Sequence, residues 1–311
     1  MTIENTCPLV LNGTTCPFCN GDRLARYRAS AYDAAQMMVN IVECRSCQVG
    51  WQWPLQRTEA QSKQVFNEAY ATGEEGTYFD LNRRTAVASF QREFITTYVK
   101  AAGRLLDIGC GDGTFARNMA QAGWDAVGLD PAIKMPSLES FPSGSLSLRG
   151  DLIENLQAGD KFDLITLWDV VEHVEKPDQL ILIAVSRLAP DGILIVETGN
   201  YQCAARVQSD RKWWNYQVDH RWYLAPPQLR TMLGAAGLDR IELADRVLRP
   251  WWKGQSDAKP PRLRSLVKAC VMRPWKTVDA WRNYRELARA KDAWKGWSGL
   301  EIMTMAGRKP V

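Results

Sequence analysis

Leu105-Leu106-Asp107-Ile108-Gly109-Cys110-Gly111-Asp112-Gly113 decides the fold. A short, largely apolar run closes around an acidic residue and then on glycines at alternate positions. Glycine permits a tight turn and lets a ligand approach backbone that a Cβ would obstruct. Thr114-Phe115-Ala116-Arg117-Asn118-Met119 reads as the start of a helix, whose N-terminal amides face the same turn. Strand, glycine-rich turn and helix in this order predict a nucleotide site of the doubly wound α/β kind. A dinucleotide fingerprint would read GxGxxG, with pyrophosphate on the helix N-terminus. The pattern here is GxGxG behind Asp107, with no basic residue in the turn to meet a phosphate.

From residue 104 onward strand-like and helix-like segments alternate, which predicts a parallel sheet. The expected strands are 104–108, 124–129, 146–149, 162–168, 193–198 and 238–247, with a final antiparallel strand over 300–306. Ligands in such sheets sit beyond the carboxyl ends of the strands. An acidic rim there suits a ligand with a cationic amine and ribose hydroxyls, and Asp130 closes the second strand. This pattern resembles the class I S-adenosylmethionine-dependent methyltransferases. The resemblance implies a Rossmann-like seven-stranded sheet over 101–311 and S-adenosylmethionine as cofactor. It implies that Asp107, Gly109, Gly111, Gly113 and Asp130 bind the cofactor, Asp130 through both ribose hydroxyls. Asp151 and Leu152, after the third strand, are expected near the adenine, and Trp168 against the cofactor.

The chain has two histidines. Trp168-Asp169-Val170-Val171-Glu172-His173-Val174 follows the fourth strand, and Asp219-His220-Arg221-Trp222-Tyr223-Leu224-Ala225-Pro226 follows the fifth. Both resemble segments of the ubiquinone-biosynthesis-type small-molecule methyltransferases. Methyl transfer needs an aligned nucleophile and often a group that removes its proton. A histidine titrates near neutrality and can serve. His220 is the expected base or orienting group, with His173 and Asp169 behind it.

Cys16-Pro17-Phe18-Cys19 and Cys44-Arg45-Ser46-Cys47 form two CxxC pairs, each followed by a glycine, Gly21 or Gly50. Two such knuckles on paired hairpins supply the four soft ligands of a tetrahedral structural zinc. Residues 1–55 are therefore expected to form a zinc-ribbon-like module, with a closed metal site that leaves no catalytic position open. Residues 56–100 read as helical, over 64–70 and 86–99, and are the expected linker or lid.

The net charge of +4 hides an asymmetry. Residues 249–295 carry 13 Lys/Arg against 4 Asp/Glu, and Trp251 to Trp297 hold six of the 13 tryptophans. This insertion, 249–298, reads as helical. Its composition suits an anionic membrane surface or lipid-linked acceptor, nucleic acid with aromatic stacking, or an ordinary lid or homodimer face. The N-terminus has no basic region followed by an apolar run, and no stretch is long and apolar enough for a membrane span. The expectation is a cytoplasmic protein, with peripheral membrane contact where the insertion provides it.

The leading functional expectation is methyl transfer to a hydroxyl of a sugar, lipid-linked glycan or secondary metabolite. An RNA methyltransferase holding its substrate with ribbon and insertion is the second, although the ribbon is not strongly basic. Two CxxC pairs before this domain also resemble the nucleotide-sugar C-methyltransferases, but their further C-terminal domain has no counterpart here. A non-catalytic binding protein is disfavoured by the intact Gly/Asp pattern.

Overall fold

A computed structural model of the chain describes residues 15–31, 38–53, 81–157, 159–244 and 300–311. The expected helix over 64–70, the remainder of the lid up to residue 80, and the insertion 249–298 lie outside the described residues. Their expected membrane, nucleic-acid and dimer contacts lie outside them as well.

Strands β4 (Arg104–Ile108), β5 (Asp125–Leu129), β7 (Ser145–Arg149), β8 (Phe162–Trp168) and β9 (Leu188–Gly199) pair in parallel. β12 (Ile302–Arg308) runs antiparallel between β9 and β11 (Asp239–Leu243), so that Leu243 lies opposite Met305. The expected seven strands are joined by an eighth, β6 (Ser137–Ser140), an edge strand antiparallel to β7. The full order is β11-β12-β9-β8-β4-β5-β7-β6. Strand order reverses between β4 and β8, where a crevice opens at the carboxyl ends.

Period-two alternation drives the packing. Leu106, Ile108, Ile165, Leu167, Leu194 and Val196 face α3 (Pro177–Ser186) and α5 (Pro226–Ala235). Leu105, Leu164, Ile193 and Ile195 face the opposite way, against Phe115, Ala116 and Met119 of α2 (Thr114–Gln121) and Ala88, Phe94 and Ile95 of α1 (Leu81–Ile95). Helix α1 begins earlier and stops earlier than the sequence predicts. The Thr96 and Thr97 hydroxyls bond back to the carbonyls of Glu93 and Phe94, at 2.6 and 2.7 Å, and offer the backbone an alternative to the helix. It packs on α2, and its Arg84 reaches Asp112 in the glycine loop at 2.7 Å.

The N-terminal strands β1 (Leu24–Ser30), β2 (Met38–Cys44) and β3 (Gly50–Gln52) form a second, antiparallel sheet. Its fourth strand is β10 (Trp222–Tyr223), supplied by the large domain. One face of this sheet, with Val42, Cys44 and Trp51, joins the same apolar cluster as α3 and α5. The other face, with Ala29, Val39 and Ile41, packs on Tyr201, Trp213, Tyr216 and Tyr223.

Candidate active site

The glycine turn after β4 is built as the sequence demands. Gly109, Gly111 and Gly113 have φ of 70°, 57° and 78°, a left-handed conformation that strains other residues. A Cβ on Gly109 would strike the Val170 side chain at 2.6 Å, whereas one on Gly111 would meet nothing within 4 Å. Gly111 thus borders open space at the mouth of the crevice. Asp130 braces the turn: its carboxylate accepts hydrogen bonds from the amides of Gly111, at 2.9 Å, and Ala132, at 2.8 Å. Asp112 accepts from the Thr114 amide at 3.1 Å, so part of the helix N-terminus is already satisfied.

Asp107 lies beneath this turn, buried, and accepts the Thr166 hydroxyl at 2.8 Å. Burial, aided by the charge of Asp130, lifts its carboxyl to about 7 despite the Thr166 bond. An acid held at that point has an unmet demand for a cation, which an ammonium group would supply. Trp168 ends β8 edge-on to Phe115, with ring centroids 5.3 Å apart, and its buried Nε1 has no hydrogen-bond partner. Asp151 is half-buried at the far rim. It accepts from Asn155 Nδ2 at 2.6 Å and from the Leu152 amide at 2.8 Å, which hold its carboxyl below the usual range. Leu152 is itself half exposed beside it. The open turn, the acid pair and the aromatic wall fit a nucleoside with a cationic tail.

Across the crevice, the segment after β8 brings its residues together with the segment before β10. Asp169 has φ of 53° and its amide bonds the Glu197 carbonyl at 3.1 Å, so the chain turns sharply as it leaves the sheet. His173 then lies edge-on to His220, with ring centroids 4.7 Å apart. His173 Nδ1 is 3.3 Å from Asp219 Oδ2. Asp219 was not singled out from the sequence, though it directly precedes His220. His220 is only 4% exposed and its Nδ1 has no partner. Burial, reinforced by neighbouring His173, pushes it down to about 4, so it is neutral at physiological pH. Glu172, also missed, is buried beneath the pair. Burial and the charge of Asp169 keep its carboxyl well above the usual range. Ligand atoms of Glu172, His173 and His220 lie within 4.8 Å of one another, close enough to share a proton or a cation.

The four cysteines Cys16, Cys19, Cys44 and Cys47 also converge, all ligand atoms within 4.8 Å. Cys16 Sγ is 3.7 Å from Cys47 Sγ, and Cys19 Sγ is 3.6 Å from Cys44 Sγ. A tetrahedron with bonds of about 2.3 Å has edges of about 3.8 Å, so the cage has the dimensions of a four-thiolate zinc site. The two knuckles repeat one hydrogen-bond pattern. Cys16 N donates to Gly21 O and Asn20 N to Cys16 O, as Cys44 N donates to Val49 O and Gln48 N to Cys44 O. The left-handed residue in each is Asn20 (φ 57°) or Gln48 (φ 63°), not the glycine that follows.

Comparison with known proteins matches this arrangement to a family. A methyltransferase-domain family matches residues 78–243, which is more than half of the chain. The chain belongs to the class I S-adenosylmethionine-dependent methyltransferases. Among relatives, it is 33% identical over 169 residues to a ubiquinone biosynthesis O-methyltransferase of Azorhizobium caulinodans, covering 50% of this chain and 67% of that one. A protein of the same description from Cereibacter sphaeroides is 31% identical over 175 residues, covering 52% and 71%. The fold is also that of a Burkholderia thailandensis 1,6-didemethyltoxoflavin-N1-methyltransferase solved with S-adenosylhomocysteine. That match has a TM-score of 0.50 at 14% identity and covers 89% of this chain and 97% of that one. The described residues contain no helix long and apolar enough to cross a membrane.

Proposed function

We propose that this methyltransferase acts on a hydroxyl of a small molecule, with His173 rather than His220 accepting the proton. The observation that carries this reading is the contact between His173 Nδ1 and Asp219. A carboxylate on one imidazole nitrogen fixes the tautomer and the ring orientation, which leaves the other nitrogen to accept a proton. His220 lacks such a partner and is held neutral by burial, so it serves better as a wall that orients His173. When bound, the cofactor supplies an electrophilic methyl group. Asp130 would hold its ribose, Asp107 would answer its ammonium group from below the turn, and Trp168 and Asp151 would border the adenine. Asp169, on the strained turn, sets the height of His173 above the sheet.

The O-methyltransferase names of the relatives support a hydroxyl acceptor. A phenolic hydroxyl, with a pKa of about 10, is the easier one for an imidazole to assist, and is favoured here over a sugar hydroxyl. The four-cysteine cage supports a structural zinc. The basic, tryptophan-rich composition of 249–298 supports a contact with a lipid-linked acceptor or an anionic surface.

Incubation with methyl-labelled S-adenosylmethionine, a panel of catechols and a cell extract tests the reading. Label in catechols or in organic-soluble small molecules is expected. Label in RNA would overturn the acceptor class, and label in nucleotide sugars would move the reaction to carbon or to sugar oxygen. His173→Gln is expected to lose about 10²- to 10⁴-fold in turnover, the usual share of a general base. Its affinity for S-adenosylhomocysteine should be unchanged.

A further inference from the structure

We propose that the four-cysteine module is a positioning device for the histidine pair, resting on the zinc reading given above. The knuckles fix β3, β3 fixes β10, and β10 fixes the Asp219–His220 segment beside His173.

The need for such a device lies in the local backbone. Between residues 213 and 221 the chain forms neither helix nor strand, and β10 is two residues long. So short a strand cannot hold a register by itself; its order has to come from a partner. That partner is β3, with Trp51 opposite Trp222 and Gly50 opposite Tyr223. Gln52 extends the pairing toward the histidines. Its amide donates to Arg221 O at 2.9 Å, and its side-chain Nε2 donates to Gln217 O at 2.5 Å and to the Tyr223 hydroxyl at 3.1 Å. A single glutamine thus clasps both sides of Asp219 and His220. Gln228 of α5 donates to the Cys47 carbonyl, tying a knuckle directly to the helix that follows β10.

The clasped segment bonds in turn to the loop that bears His173. The amides of Arg221 and Trp222 donate to Glu172 O at 2.7 and 3.2 Å, and Trp222 Nε1 donates to Val174 O at 3.1 Å. A continuous path therefore runs from Cys47 to both histidines. The fit is close on the other face too, where a Cβ on Gly50 would lie 2.8 Å from the Tyr201 ring. The Tyr27 hydroxyl bonds those of Tyr201 and Tyr216 there, and Tyr201 donates to Glu43 at 3.0 Å. The hydrogen bonds of this path end on Glu172 and Val174, and among these contacts the same loop meets the glycine turn only through the Val170 side chain beside Gly109.

With two histidines in the chain, ¹⁵N-histidine labelling reports on this pair alone. Spectra are compared for the zinc-loaded protein, its chelated form, and the Gln52→Ala and Gln228→Ala variants. Both imidazole signals are expected to move in every altered form. Zinc should stay at about one per chain in the variants, and affinity for S-adenosylhomocysteine should stay within about twofold throughout. Turnover on any acceptor found should fall about tenfold or more. Signals superimposable on wild type in both variants, with zinc bound, overturn the coupling itself. A protein isolated without metal that takes up no zinc overturns the metal reading, and the glutamine variants then decide the coupling alone. If chelation unfolds the chain, the same variants decide.

Discussion

In the proposed cofactor half of the crevice, Asp107, the three glycines and Asp130 come from one continuous stretch, residues 104–130. In the proposed acceptor half, His173, Asp219 and His220 come from two separate loops and are held by Gln52 and, through Gln228, by the Cys47 knuckle. The first half is local: strand, turn and helix set their own geometry, and one carboxylate braces the turn. The second is assembled from segments far apart in the chain, so its geometry depends on tertiary contacts. A local site survives distant damage, whereas an assembled one transmits it.

Three substitutions sharpen this contrast. Asp130→Ala removes both the brace on Gly111 and the proposed acceptor for the ribose, and is expected to weaken S-adenosylhomocysteine binding about a hundredfold or more, roughly 3 kcal/mol. Calorimetry checks it, and unchanged affinity would break the cofactor half of the comparison. Asp219→Asn keeps its shape but removes the carboxylate that holds the tautomer and orientation of His173. Turnover should fall about tenfold to a hundredfold with cofactor affinity intact. Equal losses in both would merge the two halves into one.

Asp107→Asn has the smallest effect and a sign that depends on pH. Burial raises the folded carboxyl to about 7, above its ordinary value, so the folded state binds the proton more tightly. That contribution to stability is complete below about pH 4 and is lost as pH climbs through 7. The asparagine still accepts the Thr166 hydroxyl and escapes the loss. It should melt higher than wild type above pH 7 and not below pH 4. Wild-type cofactor affinity should fall as pH drops below 7, where Asp107 holds a proton, while the variant's stays flat. Thermal scans from about pH 3 to 9 and calorimetry from about pH 5 to 8 would show it, and parallel pH profiles would remove Asp107 from cofactor binding.

The same contrast explains what the sequence makes legible. The parallel strands and the glycine turn announce themselves because their apolar alternation and their glycines are consequences of local geometry. Strand β6 does not, since Leu138 is its sole large apolar residue and is 85% exposed, so burial leaves no imprint on it. The paired CxxC motifs announce a cage, but not that Asn20 and Gln48 would take its left-handed turns. Both histidines stand out by scarcity, yet the choice between them rests on Asp219 and on the burial of His220, which only the assembled loops create. Gln52, Gln228 and Arg84 carry no sequence signature at all, because their partners are remote in the chain.

Strands β11 and β12 are hydrogen-bonded neighbours that point their open ends, at Ala244 and Leu300, toward the same edge as the histidines. The long intervening segment therefore leaves and rejoins the sheet at adjacent points, and a turn of a few residues would close the gap as well. Such a junction is a natural grafting locus. Everything between these two strands can be exchanged without breaking the pairing of either strand with its neighbours.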